Sequence, residues 1–372
     1  MTGGLTRFRW HRLALAGILL LAAALNLFRL NQLGYANAYY AAGVRSMLTS
    51  WRNFFFVSFD PGGFVSVDKP PLGFWVQAAS ARLFGFSALS LLLPQALAGV
   101  ASVGLLYWLA RRVFGPAAGL LAALALALTP ISVAVDRNNT IDAVLILTLL
   151  AAVWAVSRAA ERSSFGWLVA GAALVGLGFE IKMLQAYLVA PALWLAYFVG
   201  ARRGWRVRIA HLAAATVVLL VVSLAWATIV DLTPADERPY VGSSETNSAL
   251  DLALGYNGLF RLVPASWLPA SLTGPFGGMR AGERPPASGD APNEAPRGMP
   301  GVRGLEPGPL RLFSTFLGGQ IGWLLPLAAL GGVAAWLQTR TRWPFDRRHI
   351  ALTIWGGWFV TAAAFFSVAT AF

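Results

Sequence analysis

Nine apolar runs of about 15 to 25 residues dominate this sequence, and each is long enough to cross, or nearly cross, roughly 30 Å of bilayer hydrocarbon as a helix. They lie near residues 13–28, 86–110, 115–135, 141–157, 165–179, 184–200, 209–230, 319–337 and 350–371. Backbone N–H and C=O groups find no water inside a bilayer, so such runs cross it as internally hydrogen-bonded helices. The sequence therefore predicts an all-α integral membrane protein with about nine transmembrane helices.

The composition excludes a soluble multidomain protein. Hydrophobic residues make up 57% of the 372 residues and charged residues only 12%, whereas soluble domains carry roughly 25% charged residues. The chain contains no cysteine, which excludes disulfides, thiolate metal sites and cysteine nucleophiles within it. Its heavy use of Ala, Leu, Gly and Arg is typical of a GC-rich bacterial genome.

The positive charges follow the connections between the apolar runs. With a cytoplasmic N-terminus and a retained first helix, the cytoplasmic segments hold 15 basic residues against Glu161 and Asp346, and the outer segments hold 14 basic and 14 acidic residues. Short basic loops belong on the cytoplasmic side. The whole net charge of +13 is therefore explained by topology, which removes the nucleic-acid interpretation of a basic protein and predicts a multi-pass protein of the bacterial inner membrane.

This topology divides the chain into five regions. Two amphipathic helices are predicted on the outer leaflet, one from the spacing of Tyr35, Tyr39, Tyr40, Val44 and Met47 and one from Gly73 to Phe84. The regions are a cytoplasmic tail with the first span (1–30), an outer loop with these interfacial helices (31–85), a bundle of six spans (86–230), a long outer loop that is Gly/Pro-rich and flexible at 274–308 (231–318), and two last spans (319–372).

Lysine is rare in the chain and falls only on the predicted outer side. Of the 29 basic residues only Lys69 and Lys182 are lysines. A lysine ammonium is a compact point charge that binds a phosphate oxygen without a planar partner. The alternative is that each lysine extends to lipid headgroups. Both interpretations place a cation at the outer membrane surface.

Of five outer acidic residues, four have a plain structural explanation. Asp142 in the first turn of a span complements the helix dipole, and Asp60 before Pro61 is typical of a turn. The neighbours Asp136–Arg137 and Glu180–Lys182 suit interfacial ion pairs. Asp68 lies beside Lys69 in an aromatic, proline-rich segment, where its carboxylate could orient the lysine or accept a proton.

The spans lack the groups that transport usually needs. No acid or base falls in the middle of a span, whereas ion-coupled transporters carry such groups near the midplane. No nucleotide-binding loop or serine-hydrolase signature occurs, and the three histidines lie on or near the cytoplasmic side, which disfavours a zinc enzyme. Chemistry at the outer surface is favoured over a lipid-linked-sugar flippase or other transporter.

The motifs of the first seven apolar runs and their connections resemble a known family. They are similar to those of the membrane glycosyltransferases of the GT-C superfamily, family 39, which includes bacterial relatives of the protein O-mannosyltransferase and lipid A aminoarabinose transferase type. The likeness covers roughly residues 10 to 230, and the outer loop resembles a bacterial subgroup named as mannosyltransferases. It rests on the segments 68–72, 83–85, 109–115, Arg137 with 140–143, 178–182, 239–244, 255–258 and 318–320.

The resemblance implies a GT-C helical bundle and an enzyme. Family members transfer a sugar, here a hexose or pentose, from a polyprenyl-phosphate carrier to a protein, lipid or glycan acceptor at the outer membrane face. The implied reaction is an inverting displacement, in which a carboxylate takes the proton of the acceptor hydroxyl and cations stabilise the departing phosphate. No divalent metal or other cofactor is expected, and the partners are the carrier lipid and the membrane.

The resemblance makes Lys69 the phosphate binder and Asp142 the second acidic position of the site. The other predicted site residues are Arg137 and Lys182 as phosphate binders, Asp68 and Asp60 as acids, and Asn37 and Tyr40 as substrate contacts. One departure affects the base. Family members carry an Asp-Glu pair where this chain has Ala36 and Asn37. Either Asp60 or Asp68 has taken the role of the base, or Asn37 only orients the acceptor, or the protein is a degenerate scaffold that binds carrier lipid. Because relatives continue past the position of Phe372 with further helices, the resemblance also implies a C-terminal truncation.

Overall fold

The computed structural model describes residues 4–258, 307–320, 322–340 and 343–369. Apart from two isolated β-bridges, the regular structure in these ranges is helical, as predicted. Most of the predicted flexible tract at 274–308 lies outside the described residues. The helices are α1 (Gly4–Leu27), α2 (Ala38–Met47), α3 (Trp51–Phe55), α4 (Leu72–Phe84), α5 (Ala88–Phe114), α6 (Pro116–Leu128), α7 (Pro130–Asp136), α8 (Asp142–Arg162), α9 (Phe165–Lys182), α10 (Ala190–Gly200), α11 (Trp205–Leu232), α12 (Ala249–Leu254), α13 (Thr315–Gly318), α14 (Leu325–Leu337) and α15 (Arg347–Val368).

Among the described residues, six helical segments are long and apolar enough to cross a membrane, and a seventh is added if α6 and α7 form one span. These two helices meet at an angle of 64°, because Pro130 cannot donate the next helical hydrogen bond and Thr129 before it takes an extended conformation. The apolar helix α14 has only 13 residues. The predicted count of nine spans stays a prediction.

The longest apolar segment reverses direction. Phe165–Gly200 covers 36 residues, which as one straight helix would extend about 54 Å. Instead the N–H of Arg202 donates to Ser163 Oγ at 2.6 Å, so the two ends of the segment meet. The reversal lies in a 3-10 segment from Met183 to Val189, which covers the start of the predicted run 184–200.

The bundle has two chemically different ends. At one end, which we call the site end, Lys182 pairs with Asp142 and Arg137 reaches the last turn of α1. At the other, which we call the basic end, Glu161 binds Arg112 and Arg347. The connections therefore alternate between the two ends, as the distribution of basic residues predicts.

Small residues allow α9 to pack at the centre of the bundle. A Cβ at Gly176 would lie 2.8 Å from Val222 Cβ and 3.0 Å from the carbonyl oxygen of Leu219, both in α11. On its other side, Gly171 of α9 meets Val156 of α8. Close backbone approach at small residues is a common means of helix packing in membranes. It brings the C-terminal end of α9, with Lys182, beside the start of α8.

The segment between α1 and α5 forms helices where the pattern predicts them. Helix α2 begins after Asn37, whose side-chain oxygen accepts from the N–H of Tyr40 at 3.2 Å, and α4 begins immediately after the pair Pro70–Pro71. The loop between α3 and α4 contacts the segment between α11 and α12, because the N–H of Ser66 donates to the carbonyl of Tyr240 at 2.8 Å. Residues 58–72 are thereby held against the bundle.

Candidate functional site

Asp68 and Lys69 form a buried ion pair at the site end. Lys69 Nζ lies 2.5 Å from Asp68 Oδ2 and 3.2 Å from the Asp68 carbonyl oxygen. The Asp68 side chain is only 13% exposed and the Lys69 side chain only 8%. Pro70 disfavours a helical conformation at Lys69, so the pair stays in the extended segment before α4. A buried charge needs a partner of opposite charge, and Asp68 and Lys69 are such partners for each other.

Helix α2 and the segment after α12 hold this pair in place. Tyr39 Oη accepts from the N–H of Asp68 at 3.2 Å, and Asn257 Nδ2 donates to the Asp68 carbonyl at 3.0 Å. The Tyr256 ring centroid lies 5.2 Å from Lys69 Nζ. Asp68 Oδ1 is shielded from solvent and has no hydrogen-bond partner among the described residues. One oxygen of the carboxylate therefore keeps its capacity to accept a hydrogen bond.

Asp142 and Lys182 form the second carboxylate–ammonium pair. It joins the first residue of α8 to the last residue of α9, and the side chains are 26% and 21% exposed, respectively, so this pair is more open than the first. The interfacial pair suggested for Glu180 and Lys182 does not form among the described residues. Glu180 is buried and accepts from the N–H of Trp226 at 3.2 Å.

Tyr40 lies near both pairs. Its ring packs against Phe74 with a centroid distance of 5.0 Å. Burial raises the pKa of Tyr40, and the negative charges of Asp68 and Asp142 raise it further. Burial and then Asp68 likewise raise the pKa of Tyr39 to about 12. Both phenols are therefore neutral at physiological pH and can donate a hydrogen bond.

Asn37 positions Tyr40 through a small amide network. The N–H of Asn37 donates to Asn139 Oδ1 at 2.8 Å, and Asn139 Nδ2 donates to the Asn37 carbonyl at 2.9 Å. The Asn139 carbonyl accepts from Gln77 Nε2 at 2.8 Å. Asn139 is fully buried, and sequence reasoning missed its role. The available signal was its place in Asn138-Asn139-Thr140, just before Asp142.

Two predicted site residues are engaged elsewhere. The carboxylate of Asp60 accepts from the N–H groups of Phe64 and Val65 at 3.0 Å. Slight burial raises the pKa of Asp60, but these backbone hydrogen bonds outweigh it and leave the pKa below its ordinary value. Asp60 therefore stabilises a turn, and its carboxylate is not among the groups around Tyr40.

Arg137 binds the first helix. Its guanidinium donates to the carbonyls of Leu25 at 2.7 Å and Phe28 at 2.8 Å, which belong to the end of α1. In the part of the chain that the structure describes, the guanidinium forms no ion pair with Asp136, so the suggested interfacial pair is absent. Helix ends leave carbonyls without intrahelical partners, and Arg137 satisfies two of them.

A cavity of about 240 Å³ opens beside the second pair. It is mainly apolar, and the carboxylates of Asp136 and Asp142 both border it. Its walls come from α5, α6, α7 and α8, through Gly99, Ser102, Leu126, Ile131, Ser132, Val135, Asp136, Asp142, Ala143 and Ile146. The described residues contain no group of three or more His, Asp or Glu side chains that could hold a metal ion, and the metal-free reaction stays a prediction.

Comparisons with known proteins converge on the predicted family. The model of the dolichyl-phosphate-mannose-protein mannosyltransferase family matches residues 68–226, a range that contains both ion pairs. "Putative mannosyltransferase YycA" of Bacillus subtilis is 39% identical over 96% of this chain and 60% of its own length. "Putative mannosyltransferase YkcB" of the same organism is 38% identical over 95% of this chain and 58% of its own length. An undecaprenyl phosphate-alpha-4-amino-4-deoxy-L-arabinose arabinosyl transferase of Pseudomonas paraeruginosa is 31% identical over 45% of this chain and 32% of its own length.

Solved structures share the fold. Crystal structures of ArnT from Cupriavidus metallidurans, in the apo state and bound to undecaprenyl phosphate, match with TM-scores of 0.52 and 0.54. The sequence identities are 19% and 18%, over 96% and 95% of this chain and 60% of theirs. This chain thus spans about 60% of the length of the relatives that it matches over almost all of its own. These matches support membership of this chain in family 39 of the GT-C superfamily of membrane glycosyltransferases.

Proposed function

We propose that the full-length protein transfers a hexose or pentose from a polyprenyl-phosphate-linked donor to an acceptor hydroxyl on a protein, lipid or glycan. The observation that carries this proposal is the arrangement of two carboxylate–ammonium pairs, Asp68–Lys69 and Asp142–Lys182, near Tyr40 at one end of the bundle. Support comes from relatives named as mannosyltransferases and arabinosyl transferases. It also comes from a neighbour of the same fold that was crystallised with undecaprenyl phosphate.

The proposed reaction is a single displacement at the anomeric carbon. The acceptor oxygen attacks this carbon from the side opposite the phosphate, and the bond to the phosphate oxygen breaks with its electron pair, which inverts the configuration. Asp68 takes the acceptor proton on Oδ1, the oxygen without a partner among the described residues. Asp142 orients Lys182, and both lysines stabilise the negative charge that collects on the departing phosphate.

The site end faces outward in this proposal. The basic end carries the cytoplasmic arginines and the site end holds a balanced set of charges, which the positive-inside rule explains with a cytoplasmic N-terminus in a bacterial inner membrane. The donor's tail remains in the bilayer while its phosphate reaches the interface, where helices α8 and α9 place Asp142 and Lys182. The mainly apolar cavity beside Asp142 suits the part of the donor nearest the lipid.

Membranes that contain the full-length protein test the assignment with a labelled polyprenyl-phosphate sugar. We expect Lys69→Ala to lower transfer by about 10²- to 10³-fold, the effect of removing one charge-stabilising group. Asp142→Asn should also lower transfer, because Lys182 loses the carboxylate that orients it. Asp236→Asn is the matched control, because Asp236 is exposed and lies outside the site. Wild-type transfer by both site variants at normal expression would sink the proposal.

The metal-free mechanism makes a separate prediction. Since the lysines supply the positive charge for the leaving phosphate, transfer should be unchanged by EDTA at a concentration above all divalent cations in the assay. A loss of activity that Mg²⁺ or Mn²⁺ restores would mean that the outer carboxylates bind a metal instead.

One observation favours a second function, that of a scaffold which binds carrier lipid. Ala36 and Asn37 stand where the family carries Asp-Glu, and the Asn37 side chain is used to cap α2. Such a scaffold would retain the carrier lipid and release no polyprenyl phosphate from the sugar-loaded donor. Measuring donor turnover in the presence of acceptor separates it from the enzyme.

A further inference from the structure

Three arginines and one glutamate lie close together at the basic end, opposite the proposed transferase site. Glu161 at the end of α8 binds Arg112 of α5 through Oε2 and Arg347 of α15 through Oε1, the latter at 3.3 Å. Both oxygens of the only carboxylate in the cluster are thereby occupied. Arg158, one turn before Glu161, lies within electrostatic range of Arg112, as does Arg347. Arg112, Arg158, Glu161 and Arg347 are called the arginine cluster below.

Among the described residues, the guanidinium of Arg158 packs on an aromatic ring and pairs with no carboxylate. Its Cζ lies 5.7 Å from the centroid of the Trp108 ring, and Arg112 Cζ lies 5.5 Å from the same centroid. The Nε atom of Arg158 is shielded from solvent and has no hydrogen-bond partner among the described residues. Two cations on one indole and a third nearby repel one another, and Glu161 offsets only one of the three charges. The cluster therefore carries a net charge of about +2.

The position of the cluster suits a headgroup. Arg112, Glu161 and Arg347 lie in the last or first turn of apolar helices, so the cluster lies where the helices leave the hydrocarbon. A crevice of only about 10 Å³, bordered by Arg112, Glu161 and Arg347, lies between these helices, so a phosphate would bind at the exposed edge of the cluster. Basic pockets between membrane helices bind anionic headgroups at this depth, and guanidinium groups bind phosphate oxygens through paired hydrogen bonds.

We propose that the arginine cluster binds a phosphate group, that of an anionic membrane lipid or of a soluble phosphate compound, with Arg158 and Arg347 as its principal donors. The phosphate would supply the negative charge that Glu161 alone does not, and it would link α8 to α15. Arg158 would act through the edge of its guanidinium while its face stays on Trp108. This site is separate from Lys69 and Lys182, which lie at the other end of the bundle.

Native mass spectrometry of the full-length protein in detergent tests the proposal with added phosphatidylglycerol, and with phosphatidylcholine as the neutral lipid. We expect the wild type to retain phosphatidylglycerol in preference, and Arg158→Gln and Arg347→Gln each to weaken its binding by about fivefold, the effect of one cation near a membrane surface. Arg347 is 55% exposed, so its variant should fold even if Arg158→Gln does not. Arg162→Gln is the matched control, because Arg162 is exposed on the same helix end and outside the cluster.

A second titration with inorganic phosphate distinguishes the two sources. Binding of phosphatidylglycerol that depends on Arg158 or Arg347 supports a lipid site, and binding of inorganic phosphate with the same dependence and no lipid preference supports a soluble ligand. The proposal is overturned if neither probe binds, or if Arg162→Gln weakens binding as much as the cluster variants do. Transfer activity is not the readout, so failure here leaves the proposed transferase untouched.

Discussion

Arg137 illustrates how a residue in a functional motif can serve the fold. Its place before Thr140 to Ala143 resembles a family signature and predicts a phosphate-binding cation. In the structure the two terminal guanidinium nitrogens donate to the carbonyl of Leu25 in the last turn of α1 and to that of Phe28 just after it, and α1 is the helix that leads to Asn37. Arg137 therefore contributes to the site by holding the elements around it.

Replacing Arg137 with Gln should lower the stability of the protein without weakening its binding of the sugar donor. We expect the free energy of unfolding to fall by about 1–3 kcal/mol, because two carbonyls lose a charged donor, while the KM for the donor stays unchanged in protein that remains folded. Thermal unfolding in detergent and initial-rate kinetics measure the two effects. Arg82→Gln, at an exposed position of α4, is the control. An increased KM with unchanged thermal stability would instead make Arg137 a phosphate ligand.

The raised pKa of Tyr39 predicts a loss of stability at alkaline pH. Its pKa is about 12 in the folded protein, raised by burial and by Asp68, against about 10 for an unfolded chain. Above pH 10 the unfolded state loses this proton first, so the stability that the neutral phenol contributes declines between pH 10 and 12. Tyr39→Phe should flatten the decline in Tm over this range. Equal declines for wild type and variant would contradict the assignment.

Only part of the site could be predicted from the sequence. The Asp68–Lys69 pair is a contact between neighbours, and the prolines after it indicate an ordered segment. The partnership of Asp142 with Lys182 joins residues 40 positions apart and depends on how α8 packs on α9, which spacing along the chain does not show. The sequence leaves two interpretations of Asp60 open, a turn residue and a catalytic acid. Its carboxylate accepts from the N–H groups of Phe64 and Val65, so it stabilises the turn.

At the scale of elements, apolar length predicts where helices lie better than it predicts their shape. The run at 115–135 reads as one span, yet Pro130 divides it into α6 and α7 with a bend of 64°. Asp136 at the end of α7 consequently packs against Gly99 of α5 and borders the cavity beside Asp142. The sequence shows Pro130, but the angle of the bend follows from packing against neighbouring helices.

Helix α9 provides a test of element packing. Gly176→Ala should lower the free energy of unfolding by about 1–3 kcal/mol, because a methyl group would meet the Leu219 carbonyl, which cannot move without its helix. Gly166→Ala in the same helix is the matched control, since a Cβ there meets nothing within 4 Å. Thermal unfolding of both variants in one detergent measures the difference. Equal stability would mean that α9 and α11 are not closely packed at Gly176.

At the scale of the whole molecule, the two ends of the bundle differ in the balance of their charges. The contacts place Arg112, Glu161 and Arg347 together at one end, and Asp142 and Lys182 at the other. This separation could be predicted, because each apolar run moves the chain from one side to the other and the basic loops alternate with the balanced ones. Hydropathy predicts the spans, and the distribution of charge predicts the side of each loop. The contacts that join distant loops into a site are known only from the folded structure.

The proposed sidedness can be tested because the chain contains no cysteine, so a single introduced thiol reports one position. Arg203 and Glu237 are both exposed and lie at the two ends of α11, which runs from Trp205 to Leu232. In intact bacterial cells, a membrane-impermeant maleimide should label Glu237→Cys, whereas Arg203→Cys should be labelled only after the membrane is permeabilised. Any native cysteine in the rest of the full-length protein is first replaced by serine. Labelling of Arg203→Cys in intact cells, with Glu237→Cys protected, would place the basic end outside and turn the proposed donor site toward the cytoplasm.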